Sequence, residues 1–210
     1  MPNTAISLYG FVVDSNSVVH SSGKQFDWDK TATARQNGDL KKEVTAGEVV
    51  AITPAGKLVP RADTVAMTSL VDDGSSEVTA TKVAHGFADG STVVIAGATE
   101  SRFNGTFVIT LVDADSFTYV PDSTSAGSAT GSPVASYRAY GVLASSARED
   151  APEHALSGYG VLVGGRLFES SLPDATGTVP SRVLPAAYKT EMATTGAFFN
   201  FEQYEDSRLS

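Results

Sequence analysis

The apolar positions of this chain fall into short runs of period two separated by Gly, Pro, Asn and Asp, and rarely into the 3.6-residue period of a helix. Ile6–Val13 reads as one strand. The stretch that follows, SNSVVHSSGKQFDWDKTATARQNGDLKKE, keeps neither period, and its aromatic pair Phe26 and Trp28 stands among polar residues. So few apolar residues cannot offset the ordering entropy of the segment, which predicts an extended N-terminal arm over residues 1–43. Two readings of the rings stay open: anchors that order on a partner, or side chains that tuck back onto the protein's own core.

From Val44 the pattern becomes regular. VTAGEVVAIT predicts a strand, Pro54–Gly56 a reversing turn and KLVP the returning strand, a hairpin from Val49 to Pro60. Tyr137–Ala144 predicts another strand, with Tyr140, Val142 and Leu143 facing a core. GYGVLVGGRLFES predicts two short strands broken or bulged at Gly164–Gly165. Pro185 suits the first position of a short helix, Gly196 its left-handed C-terminal cap, and AFFNFEQY a closing strand. Residues 44–65 and 135–202 thus read as one discontinuous β-rich α+β domain, and 203–210 as a tail. Between its halves, 66–134 reads as an inserted all-β domain, sandwich or barrel-like, of four short strands at about ten-residue spacing. Asp122–Ser132, rich in Ser, Thr, Ala and Gly, reads as a return linker without packing demand. The fold class is mainly β with one short helix.

Composition narrows the function. The 41% hydrophobic content supports real cores, and the absence of cysteine removes disulfides, thiolate metal sites and cysteine nucleophiles. No charged start with an apolar run marks a signal peptide, and no stretch nears the ~18 apolar residues of a membrane span, which predicts a soluble chain used without export. Net charge is uneven: residues 1–62 carry seven Lys/Arg against six Asp/Glu (+1), the rest eight against eighteen (−10). An acidic body repels phosphate, so neither nucleic acid nor a membrane is an expected partner. The near-neutral front, with Lys24, Lys30, Arg35, Lys41 and Lys42, reads residue by residue first as ordinary solvated charge and second as a surface for an acidic protein.

Candidate chemistry is sparse. His20, His85 and His154 lie far apart and in no ligand spacing, and the GxSxG, P-loop and GxGxxG patterns are absent. Asp72, Asp73, Asp113 and Asp115 lack the EF-hand spacing and read as turn residues; Glu149, Asp150 and Glu153 read as solvated charge. The expectation is a structural or binding protein with no catalytic residue, metal or cofactor.

GEVVAITPAGKLVP, YGVLASSA and GYGVLVGGRLFESSLP, leading to a short helix and a final apolar strand, resemble the head-decoration (capsid cement) proteins of tailed bacteriophages, of the lambda-like kind. The resemblance covers roughly Val44–Asp63 and Ser136–Phe201. Separately, AHGFADGSTVVIAGA and FNGTFVITLVDADSFTY in the insert resemble small β-domains of phage structural proteins. The resemblance implies a virion protein on the outer capsid surface, trimeric there, that clamps neighbouring subunits of the major capsid protein. It gives the arm a purpose, with Ile6, Leu8, Phe11, Phe26, Trp28, Arg35, Lys41 and Lys42 as candidate capsid contacts. The alternative is a phage surface adhesin or tail component whose insert binds host glycan. Such a face needs exposed aromatics, whereas Phe87, Phe103, Phe107, Phe117 and Tyr119 mostly alternate as core residues do.

Overall fold

The computed structural model describes residues 19–33, 36, 38–150, 158–168, 172–173, 180–181 and 184–202. In chain order the first strands are β1 (Val19–Lys24), β2 (Glu43–Val44), β3 (Val49–Ile52), β4 (Leu58–Pro60), β5 (Val65–Ala66), β6 (Ser69–Asp72) and β7 (Val78–Thr81). Next come β8 (Thr92–Ala98), β9 (Gly105–Val108), β10 (Thr110–Leu111), β11 (Ser116–Tyr119), β12 (Gly127–Ser128) and β13 (Gly131–Tyr137). The last are β14 (Ala139–Leu143), β15 (Ala147–Arg148), β16 (Tyr159–Phe168), β17 (Leu172–Pro173), β18 (Pro180–Ser181), helix α1 (Ala186–Thr194) and β19 (Phe198–Glu202). The protein is mainly β, and among the described residues its sheets do not close into a barrel. Two compact units emerge: one from 1–51, 57–62 and 139–210, the other from 52–56 and 63–138.

The first unit is a six-stranded sheet ordered β1-β16-β14-β3-β4, with β19 also on β16. The predicted hairpin turns where Gly56 N donates to Thr53 O at 2.8 Å. β16 is one ten-residue strand, not two short ones. Its register against β1 slips between Val19↔Gly164 and His20↔Leu162, so Val163 is an extra, bulged residue. The bulge explains how Leu162 and Leu167, an odd number of positions apart, face the same core. That core also takes Val49, Val142, Leu172, Leu184 and Met192, with Phe199 and Phe201 packed against it. β19 runs parallel to β16, and α1 lies in the crossover that a parallel pair requires. Pro185 is the N-cap of α1, one residue before its predicted place. Gly196 N and Ala197 N donate to Ala193 O (3.2 Å) and Met192 O (3.1 Å), the Schellman closure expected at Gly196.

Gly141, in the Gly-Val-Leu run, has a steric reason for being glycine. A Cβ there would lie 2.4 Å from Leu162 O and 2.7 Å from Val161 Cγ1, both on the neighbouring β16. Gly141→Ala therefore forces two central strands apart, with an expected loss of about 2–3 kcal/mol in urea unfolding.

The extended arm predicted for residues 1–43 does not survive for its described part. β1 pairs antiparallel with β16, and Phe26 forms a parallel bridge with Leu58 of β4. Leu58 N donates to Gln25 O (2.7 Å) and Asp27 N to Leu58 O (2.8 Å), so the segment occupies the outer edge of β4. Phe26 is 5% exposed in a second core with Val44, Val50, Leu58, Leu143, Tyr159 and Val161. Pairing with non-local strands supplies the ordering energy that the local sequence lacks.

The second unit holds two antiparallel sheets, ordered β10-β11-β7-β6-β12 and β5-β13-β8-β9, nine strands where four were predicted. Leu70, Val78, Ala80, Phe117 and Tyr119 of one sheet and Val93, Ile95, Phe107, Ala135 and Tyr137 of the other are buried. The Phe107 and Tyr119 rings stack at 4.5 Å, joining the sheets' inner faces. The predicted linker Asp122–Ser132 is not slack: Gly127–Ser128 pairs with β6 and Gly131 with β8. Its small residues permit close backbone approach. A Cβ on Gly97 would lie 2.4 Å from Ser132 O, and one on Gly131 2.7 Å from Gly97 O. Glu100 accepts from Thr130 N and Oγ1, each at 2.8 Å, and these bonds hold its carboxyl below the usual Glu range.

Candidate functional site

His85, Asp72, Asp113, Asp115, Glu149, Arg61 and Glu191 are all committed to structural bonds. His85, 3% exposed, accepts from Phe87 N at Nδ1 (3.1 Å) and meets Asp113 O through Nε2 (3.3 Å), which suits the Nε2–H tautomer. Asp72, 1% exposed, accepts from Gly74 N and Ser125 N, both at 2.8 Å, and so ties the low-complexity stretch to the β6–β7 turn. Asp113 accepts from Asp115 N and Ser116 Oγ, each 2.8 Å, and the Ser116 bond does most to hold its carboxyl below the usual Asp range. Asp115 accepts from Ala84 N at 2.8 Å, and Glu149 from Lys42 N at 3.2 Å. Tyr119 donates to Phe103 O (3.2 Å), and burial, with the Asp72 charge second, pushes its phenol up. In the first unit Arg61 and Glu191 form a buried bidentate pair, with Nε–Oε2 and Nη2–Oε1 both at 2.6 Å. Glu191 Oε2 also accepts from Ala139 N at 2.8 Å. Among the described residues no group of three His, Cys, Asp or Glu is placed to hold a metal, and no helix is long and apolar enough to cross a membrane.

Of the candidate contact residues, Ile6, Leu8, Phe11 and Arg35 lie outside the described residues, as do Glu153 and His154. Phe26 is no projecting anchor but a core residue, its ring 5.3 Å from Tyr159 in an edge-on contact. Trp28, half-buried, stacks on Phe26 at 4.9 Å. Lys42, half-buried, donates from Nζ to Trp28 O and so braces the same segment, while Lys41 is exposed. Phe26, Trp28 and Lys42 therefore come together as a structural cluster of the free protein.

The surface that residue-by-residue reading missed is the outer face of the five-stranded sheet in the second unit. Cross-strand partners share a face, so Thr110, Thr118, Thr79, Val71 and Ser128 form one row across it, and Ser116, Thr81 and Ser69 a second. Val112, whose N–H bonds Ser116 O, and Val120, two residues past Thr118, extend the rows. Val71, Val112 and Val120 are 41%, 60% and 61% exposed. No charged side chain is on the face. Residues 63–138 hold nine Asp/Glu and three Lys/Arg, yet Asp72 alone of these twelve lies in a strand, and it points inward. The alternation in SLVD, VTAT and SFTYV holds the signal, but the outward parity becomes clear only once the pairing is known. Phe87, Phe103, Phe107, Phe117 and Tyr119 are all under 9% exposed, so this unit offers none of those rings to a sugar.

Fold and surface together define a mainly β protein of two units, one of them carrying an uncharged sheet face between acidic turns. No known protein family matches the chain, and a search of curated proteins finds no match.

Proposed function

We propose that this is a structural virion protein that binds the outer surface of a phage capsid and stabilises the shell by bridging neighbouring major capsid protein subunits, as a trimer there. The observation that carries the reading is where the polar groups go. His85, Asp72, Asp113, Arg61 and Glu191 are bound into turns and cores, while three exposed valines, Val71, Val112 and Val120, lie on a sheet face without charged side chains. Such a surface suits binding rather than turnover. The burial of the insert's aromatics weighs against the glycan-adhesin alternative.

Co-sedimentation with expanded phage heads that lack the protein tests the proposal. The truncation to compare with the full chain starts at Val19; one starting at Val44 would also strip β1 and Phe26 from the first unit. Saturable binding at a fixed ratio to capsid protein, weakened in the Val19 form, is expected. Absence of binding by the full chain would overturn it.

A further inference from the structure

We infer that the outer face of the five-stranded sheet is a docking surface for a protein whose contact patch is apolar at its centre and rimmed by Lys and Arg. The inference rests on the capsid-binding reading and deepens it, because it assigns a contact to the second unit in addition to the N-terminal segment.

The middle of the face is the row Thr110, Thr118, Thr79 and Val71, with Val112 and Val120 at its two strand-end edges. All six are β-branched and stiff about χ1, so docking freezes little side-chain entropy. The outward face of an antiparallel sheet is ordinarily polar, and here neither Lys nor Glu covers it. Acids stand at both strand ends. Asp73 and Glu77 in the β6–β7 turn and Asp122 after β11 mark one; Asp113 and Asp115 in the β10–β11 turn mark the other, where Lys82 is the nearby base. Bonds to Ser75 and Ser116 keep Asp73 and Asp113 ionised below the usual carboxylate range.

An uncharged, methyl-bearing centre with a charged rim is the layout of protein interfaces, and an anionic rim selects a cationic counterpart. The same rim disfavours phosphate-bearing partners and a second copy presenting the same acids. Five strands at about 4.8 Å spacing, each up to four residues or roughly 13 Å long, make a face of roughly 260 Å², well below the roughly 800 Å² per partner of a standard interface. One such contact is weak; many copies on a repeating shell, each also held elsewhere, make it effective.

The test places the photo-crosslinker p-benzoylphenylalanine at Thr79 in the full-length protein bound to expanded heads that lack it. The expected product joins this chain to the major capsid protein at a Lys/Arg-rich patch, in a yield that falls as salt rises. Val71→Glu and Val112→Glu, at exposed positions that tolerate charge, are expected to cut the yield about tenfold without changing the melting temperature. Crosslinks solely between copies of this chain, no crosslink while the protein still co-sediments, or a yield unchanged in both Glu variants overturns the docking face and leaves capsid binding standing. Loss of co-sedimentation by the unmodified protein overturns both.

Discussion

Glu191→Ala lowers the unfolding free energy of the first unit by about 3–5 kcal/mol, because it leaves the Arg61 guanidinium buried without its counter-charge. Both side chains are nearly inaccessible, at 7% and 6% exposure, so water does not replace the lost partner. Glu191 joins three elements: it sits on α1, grips Arg61 just past β4, and accepts the Ala139 amide of β14. Arg61 also lies 4.7 Å over the Tyr188 ring, so its aliphatic and π contacts favour one orientation. Of the helix, Glu191 and Met192 are buried, so α1 is held to the sheet by this carboxylate together with Met192 in the core. The double variant Arg61→Met/Glu191→Leu is expected to recover part of the loss, since removing both charges avoids the isolated one. It still leaves Ala139 N without its acceptor, a residual cost of about 1–3 kcal/mol. Urea unfolding followed by the fluorescence of Trp28, the single tryptophan, reads this unit directly. A loss below about 1 kcal/mol in Glu191→Ala would mean that the pair is open to solvent.

Phe26→Ala costs the free protein about 3–5 kcal/mol, the range for deleting a buried aromatic side chain. The ring fills the core between Leu58 and Tyr159 and supports Trp28, so its loss leaves a cavity walled by two strands and an indole. This outcome separates two roles. A side chain held out for a partner would leave the free protein's stability unchanged and weaken binding alone. If Phe26→Ala unfolds at the same urea concentration as the parent chain, the packed position is wrong. A large loss instead removes Phe26 from the capsid contacts proposed for the arm.

Local signals predicted several elements well. The hairpin came from Pro54–Gly56 between apolar pairs, and the end of α1 from Gly196, because turns and caps are set by the φ and hydrogen-bonding needs of a few adjacent residues. The same holds for Val142 and Leu143, both 0% exposed, where a continuous apolar run marks a strand buried on both faces, Val142 in one core and Leu143 in the other. Signals failed where long-range pairing decides. VHSSGK has no apolar period, yet it is a strand because β16 offers it an edge. SAGSATGSP looks like a linker by composition, yet glycine at 131 is what lets β13 approach Gly97. The bulge at Val163 falls one residue before the predicted Gly164–Gly165 break, and it reverses facing without ending the strand.

The candidate surface follows the same division. By itself the sequence determined the strand-rich class, the acidic second half, the alternation that buries Phe107, Phe117 and Tyr119, and the lack of any recognisable catalytic spacing. Those properties depend on residue identity and near neighbours. Only the tertiary structure decided that Phe26 is core, that Arg61 meets Glu191 across 130 residues, and that Val71, Thr79, Thr118 and Thr110 share an outward row. A strand's two faces are equivalent until its partners and the opposing sheet choose between them. Burial and cross-strand pairing, both non-local, make that choice.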